Sequence, residues 1–176
     1  MPNYYIYLIS SLPMLHFATK PALTLKGFLS SCADLLNRSE LTLIQQAIST
    51  EAYALNVCAS AALLKWKEFD LELRNELARA RAIRKKIPVE KFLRPANLSD
   101  INITHIAQAA IRKPSILEAE KFLDLERWKA LDEISSGHYF DLDFLLVYAL
   151  KLVILERWEK INFCDKTGLI EKVLSD

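Results

Sequence analysis

Between Asp141 and Ile161 the alternation of apolar and polar positions nearly vanishes. Leu142, Phe144 to Leu150 and Leu152 to Leu155 leave only Asp143 and Lys151 as charges before Glu156. A helix that is apolar all round is buried on most faces, so this stretch predicts a central helix near 141–161, with Asp141 placed to cap its first turn. The other segments are amphipathic and predict helices packed around it. From about Glu51 or Val57 a long helical pattern runs to Ile87, ended by Pro88; within it Trp66, Phe69, Leu73, Leu77 and Ala80 recur at i, i+3, i+7, i+11 and i+14, one core-facing stripe.

Shorter patterns fill the remainder. Asn3 to Ser11 is an apolar run that fits a helix or a strand, and helix is chosen here. Pro13 and Pro21 bracket an extended connection. Thr24 then caps a helix to about Leu36, and Ser39 another from Glu40 to about Ile48. Residues 88–102 read as a connector with one short turn before Pro95, and a hinge is expected there. Ile103 to Ile111 forms a further helix, Ser115 with Glu118 opens the next, and Ser135, Ser136 and Gly137 close it near Ile134. Leu169 to Leu174 makes a last turn. The expected architecture is an all-α bundle over 1–176 as a single helical domain.

Composition narrows this further. Three glycines are too few for a many-stranded fold with tight turns or for a glycine-rich phosphate loop, and a net charge of +1 sets up no global field toward nucleic acid or membrane. Cys32, Cys58 and Cys164 lack paired spacing, so neither a disulfide framework nor a zinc site is indicated, and a cytoplasmic location is expected. The apolar opening from Tyr4 to Ala18 has no basic residue ahead of it and is interrupted by Pro13, unlike an export signal. No apolar run reaches the roughly 18 residues of a membrane-spanning helix, so no direct membrane insertion is expected.

Candidate chemistry is sparse. His16, His105 and His138 are scattered and read as loop or helix-end residues. Glu120, Asp124 and Arg127 share one helix face and read as an intrahelical ion network; a helical di-metal site needs a Glu-x-x-His pair, which the chain lacks. No catalytic, cofactor-binding or metal-binding residue is nominated. Charge is segregated: residues 65–94 hold ten Lys or Arg against five acids, and residues 115–143 hold eight acids against three cations. Arg74, Arg81 and Lys85 form one line at i, i+7 and i+11 and are the candidate partner-contact residues. Internal pairing with the acidic block, or a merely solvated face, is the first reading of these cations, and binding an acidic partner protein the second. Nucleic acid is not the expected partner, because acids interleave the cations and no nucleic-acid motif is present.

Several stretches together resemble a known family. Tyr4-Tyr5-Ile6-Tyr7-Leu8-Ile9-Ser10-Ser11-Leu12-Pro13, Leu73-Arg74-Asn75-Glu76-Leu77 with Arg81-Ala82, Leu117-Glu118-Ala119-Glu120 with Leu123-Asp124 and Arg127-Trp128, and Tyr148-Ala149-Leu150-Lys151-Leu152 with Glu156-Arg157 are similar to an uncharacterised bacterial family encoded inside A/V-type ATPase operons. The resemblance implies a non-catalytic subunit or assembly factor of that rotary machine, cytoplasmic or held at the inner membrane by the complex, with ATPase subunits as partners and no cofactor. Its nearest analogue there is the d-type subunit of the central stalk, an all-helical socket about twice as long as this chain. A helical adaptor unrelated to ATPases and a small helical enzyme are the alternatives.

Overall fold

The computed structural model describes residues 5–49, 60–95 and 101–163. The described chain is all-α: α1 (Tyr5–Ser11), α2 (Leu25–Leu35), α3 (Arg38–Ile48), α4 (Ala61–Lys85), a 3-10 turn (Glu90–Phe92), α5 (Ile101–Ile111), α6 (Ile116–Ser135) and α7 (Leu142–Phe163). The expected tail turn at Leu169 to Leu174 lies outside the described residues, as do the first residues of the predicted long helix and part of the expected hinge.

Helix α7 occupies the centre. Every residue from Leu145 to Leu150 is buried, leaving no solvent-facing strip over that span, and α7 packs on α2, α3, α4 and α6. Its N-terminus is set by Asp141, whose Oδ1 accepts the Phe144 N–H at 2.9 Å. Lys151 resolves as its position demands. An unpaired ammonium among apolar neighbours is costly, and the side chain, 14% exposed, pairs with Asp132 of α6 and lies 5.1 Å from the centroid of the Trp128 ring.

The caps explain where the helices begin. Thr24 accepts the Gly27 N–H at 3.1 Å and opens α2. The Glu156 carboxylate of α7 reaches the same turn, accepting the Leu25 N–H at 2.6 Å. Helix α3 starts two residues earlier than Ser39 as cap predicts, because Asn37 forms the box: its Oδ1 accepts the Glu40 N–H at 2.9 Å and Glu40 accepts the Asn37 N–H at 3.1 Å. Helix α4 begins at Ala61, later than the pattern suggests. Ser60 caps it by accepting the Leu63 N–H at 3.1 Å, and its hydroxyl donates to Asp143 at 2.6 Å, so α4 and α7 start side by side. Helix α4 stops at Lys86, which takes a left-handed φ of 56°.

Two apolar cores result. The larger joins α1, α2, α3, the first half of α4, the second half of α6 and α7. The smaller joins Leu73 and Leu77 of α4, Ile103, Ala107 and Ala110 of α5, and Leu123 of α6. Helices α4 and α6 therefore pass through both cores. After α4 the chain doubles back, and the buried Asn75 side chain holds it like a neighbouring strand: Nδ2 donates to the Arg94 carbonyl at 2.9 Å while Oδ1 accepts the Arg94 N–H at 3.0 Å. This pin lies inside the connector read as a hinge. Helix α5 then runs alongside α4 in the same direction, the Thr104 hydroxyl donating to Glu76 at 3.1 Å, and α6 returns antiparallel.

Candidate functional site

Where the two cores meet, α4, α6 and α7 place charge in the interior. Asp70 lies on α4 between Trp66 of the larger core and Leu73 of the smaller; Asp124 lies on α6 between Leu123 and Trp128. Each is 1% exposed. Arg127 bridges them, Nε donating to Asp70 Oδ1 and Nη1 to Asp124 Oδ1, both at 2.9 Å. Asp124 Oδ2 also accepts the Trp158 indole N–H at 2.9 Å and lies 3.4 Å from Arg157. Arg74 flanks Asp70 at 2.8 Å. Burial alone would lower the Arg127 pKa, but the charges and hydrogen bonds of Asp70 and Asp124 outweigh it and raise it above the ordinary guanidinium value, so the cation is fixed. Every buried side-chain nitrogen or oxygen among the described residues has a partner, which is the condition under which such a cluster is tolerated.

The intrahelical network expected from Glu120, Asp124 and Arg127 is only partly internal to α6. Asp124 and Arg127 pair within the helix, whereas Glu120 pairs with Arg157 of α7 at 2.7 Å. Asn75 and Glu76 have no signature in the sequence pattern, and Asp70 has only its place between Trp66 and Leu73 on the apolar stripe; all three are polar residues buried on the core side of α4. Trp158 and Arg157 likewise emerge only once α7 is docked. Of the histidines, His138 sits at the α7 N-terminus with Nδ1 2.6 Å from Asp141. No group of three or more His, Cys, Asp or Glu among the described residues is placed to hold a metal ion, and none of the described helices is long and apolar enough to cross a membrane.

The line Arg74, Arg81 and Lys85 is exposed along its length, yet the structure divides it. Arg74 is held by Asp70 at the mouth of the ionic cluster, in a cleft of about 340 Å³ that Lys67, Arg127 and Arg157 also line. Arg81 belongs to a separate groove further along α4, shared with Arg84 and with Lys113 from the turn between α5 and α6. Lys85 stands in the last turn of α4, where the negative end of the helix dipole favours a cation. Among the described residues, Arg81, Arg84 and Lys85 form no ion pair with an acid of the chain. Of the acids on α6, Asp124, Glu126, Asp132 and Glu120 pair elsewhere, with Arg127, Lys129, Lys151 and Arg157.

Residues 51–173 match the family described as "Protein of unknown function (DUF2764)". No curated protein and no solved structure matches the chain.

Proposed function

The chain belongs to the family of proteins of unknown function DUF2764, and on that footing we propose that it works by protein–protein contact, as a non-catalytic subunit or assembly factor of a bacterial A/V-type rotary ATPase near the central stalk. The ATPase part of this reading rests on the resemblance carried by the patches within 4–13, 73–82, 117–128 and 148–157. The contact part is supported by one observation: Arg81 and Lys85 stand exposed on a stiff helix, without an acid of their own chain among the described residues, while Glu120, Asp124, Glu126 and Asp132 of α6 are paired with other cations. Charges left open in this way steer association and set register rather than stabilise the fold.

The mechanism is coupling by shape. A body in which two helices run through both cores resists bending at the junction, and a partner seated on the α4 end is held in fixed geometry to the rest of the bundle. No glycine-rich phosphate-cradling loop precedes a helix in the sequence, so nucleotide hydrolysis is assigned to the partner proteins. The test is co-purification of the tagged chain with stalk subunits from native membranes, with ion transport and complex assembly measured after deletion. Association and an assembly or coupling defect are expected. If the chain never accompanies the complex and deletion changes neither quantity, the ATPase reading fails and the unrelated adaptor takes its place.

A further inference from the structure

The groove at the far end of α4 combines three properties, and unlike the cleft at the ionic cluster, whose Arg127 and Arg74 are held by buried aspartates, its arginines pair with no acid among the described residues. It is concave, about 320 Å³, at the lower end of the roughly 300–1,000 Å³ of small-molecule pockets and so sized for one or two inserted side chains. Its floor is apolar, made by Leu77, Ala110 and Leu123, the same side chains that close the smaller core. Its walls are cationic: Arg81 and Arg84 from α4 and Lys113 from the turn before α6. The one acid lining it, Glu120, is already paired with Arg157 at 2.7 Å. Ile116, at the first position of α6, lines the same groove and is 85% exposed.

We propose that this groove is the docking site for an acidic amphipathic segment of a partner protein, one that inserts an apolar side chain between Arg81, Arg84 and Ile116 and presents flanking carboxylates to the two arginines and Lys113. Charge complementarity selects the sign of the partner, because Glu120, the one carboxylate lining the groove among the described residues, is paired with Arg157 and the arginines have no acid among those residues. Residence of cations near the α4 C-terminus follows from the helix dipole. The dipole does not account for an isoleucine left almost fully exposed beside them, whereas an inserted apolar side chain covers it. A nucleic-acid backbone would leave the apolar floor unused, and a lipid surface meets convex faces rather than a groove. The proposal rests on the contact half of the preceding reading and is independent of its ATPase half.

The probe is a fluorescein-labelled peptide of glutamate and leucine with leucines at helical spacing, titrated against the full chain by fluorescence anisotropy. Saturable one-site binding is expected, weakening as salt is raised. Arg81→Glu with Arg84→Glu should weaken it by about tenfold or more, the neutral pair Arg81→Gln with Arg84→Gln by less, and Ile116→Ser several-fold, each variant retaining wild-type circular dichroism. The charge-matched control Lys26→Glu with Lys65→Glu, exposed positions beside the larger core, should leave binding unchanged. Absence of saturable binding overturns the proposal, as does equal weakening by the control pair or equal affinity for a peptide with alanine in place of leucine. Binding of anionic vesicles that depends on Arg81 and Arg84, with no peptide binding, would replace the protein partner with a membrane. Failure of co-purification with the ATPase leaves this result untouched, so the two readings fail separately.

Discussion

Replacing Arg127 by methionine removes the cation between two buried carboxylates and keeps an unbranched stem in its place. Deleting one partner of a buried pair costs about 3–5 kcal/mol, because the remaining charge is stranded in the interior. Here the stranded groups keep some company: Asp70 retains Arg74 at 2.8 Å, and Asp124 retains the Trp158 N–H at 2.9 Å and Arg157 at 3.4 Å. The expected loss therefore falls at the low end, about 3 kcal/mol, a large share of a typical total of about 5–15 kcal/mol. For a chain of this size each kcal/mol moves the melting temperature by about 2–4 °C, so a drop of roughly 6–12 °C is expected. Arg127→Lys keeps the charge but not the fork that reaches both aspartates at once, and should lose less. Urea unfolding followed by far-ultraviolet circular dichroism and tryptophan fluorescence measures these losses, and the cycle with Asp70→Asn isolates the pair. A coupling energy of at least about 1 kcal/mol is expected. A loss under about 1 kcal/mol for Arg127→Met, or strict additivity in the cycle, would refute the assignment of the cluster as the joint between the cores.

Three further outcomes are expected. Burial pushes the Cys32 thiol from 9.0 to about 12 and the Tyr148 hydroxyl from 10.0 to about 12; raised values mean the folded state holds protons that the unfolded chain releases, so stability is full below about pH 9 and is lost as pH rises toward 12. Tyr148→Phe should cost about 1 kcal/mol at neutral pH, through the lost bond to the Pro13 carbonyl, and make the decline above pH 10 shallower in melts run across that range. Lys86→Gly relieves the left-handed φ of 56° at the α4 C-cap and should raise stability by up to about 1 kcal/mol; a loss would mean the lysine side chain matters more than its backbone. Asn75→Ala unpins the connector at Arg94 by removing two part-buried hydrogen bonds, each worth about 0.5–1.5 kcal/mol, with faster hydrogen exchange concentrated at residues 88–95.

What can be seen in the sequence follows the range of the forces involved. Helix α7 announces itself because burial on all sides needs apolar residues on all sides, and Lys151 announces its partner because an ammonium there must find an acid. Local caps are legible at Thr24, Ser115 and Asp141 but not at Ser39, where Asn37 competes within two residues and wins through its box with Glu40. The ionic cluster is half visible. Asp70 breaks the stripe of Trp66 and Leu73, a signal that a carboxylate stands where a core residue belongs, but nothing in the pattern says that Arg127 comes to meet it across more than fifty residues. Asn75 is invisible for a different reason: its partner is the backbone of Arg94, which has no side-chain signature. The groove at Arg81 is tertiary throughout, since its floor and walls come from three helices and a turn.

The long-range bonds of the larger core also impose an order on synthesis. Helices α1 to α3 are made early, yet their fixings lie on α7: Tyr148 bonds Pro13 across 135 residues and Glu156 caps Leu25 across 131. At about 5–20 residues per second, roughly a hundred residues of translation separate the end of α3 from the end of α7, a wait of about 5–20 s during which the apolar faces of Phe28 and Ile44 have no native cover. Over that interval these faces stay open to non-native contacts, and the collapse of the larger core waits on the arrival of the helix buried at its centre.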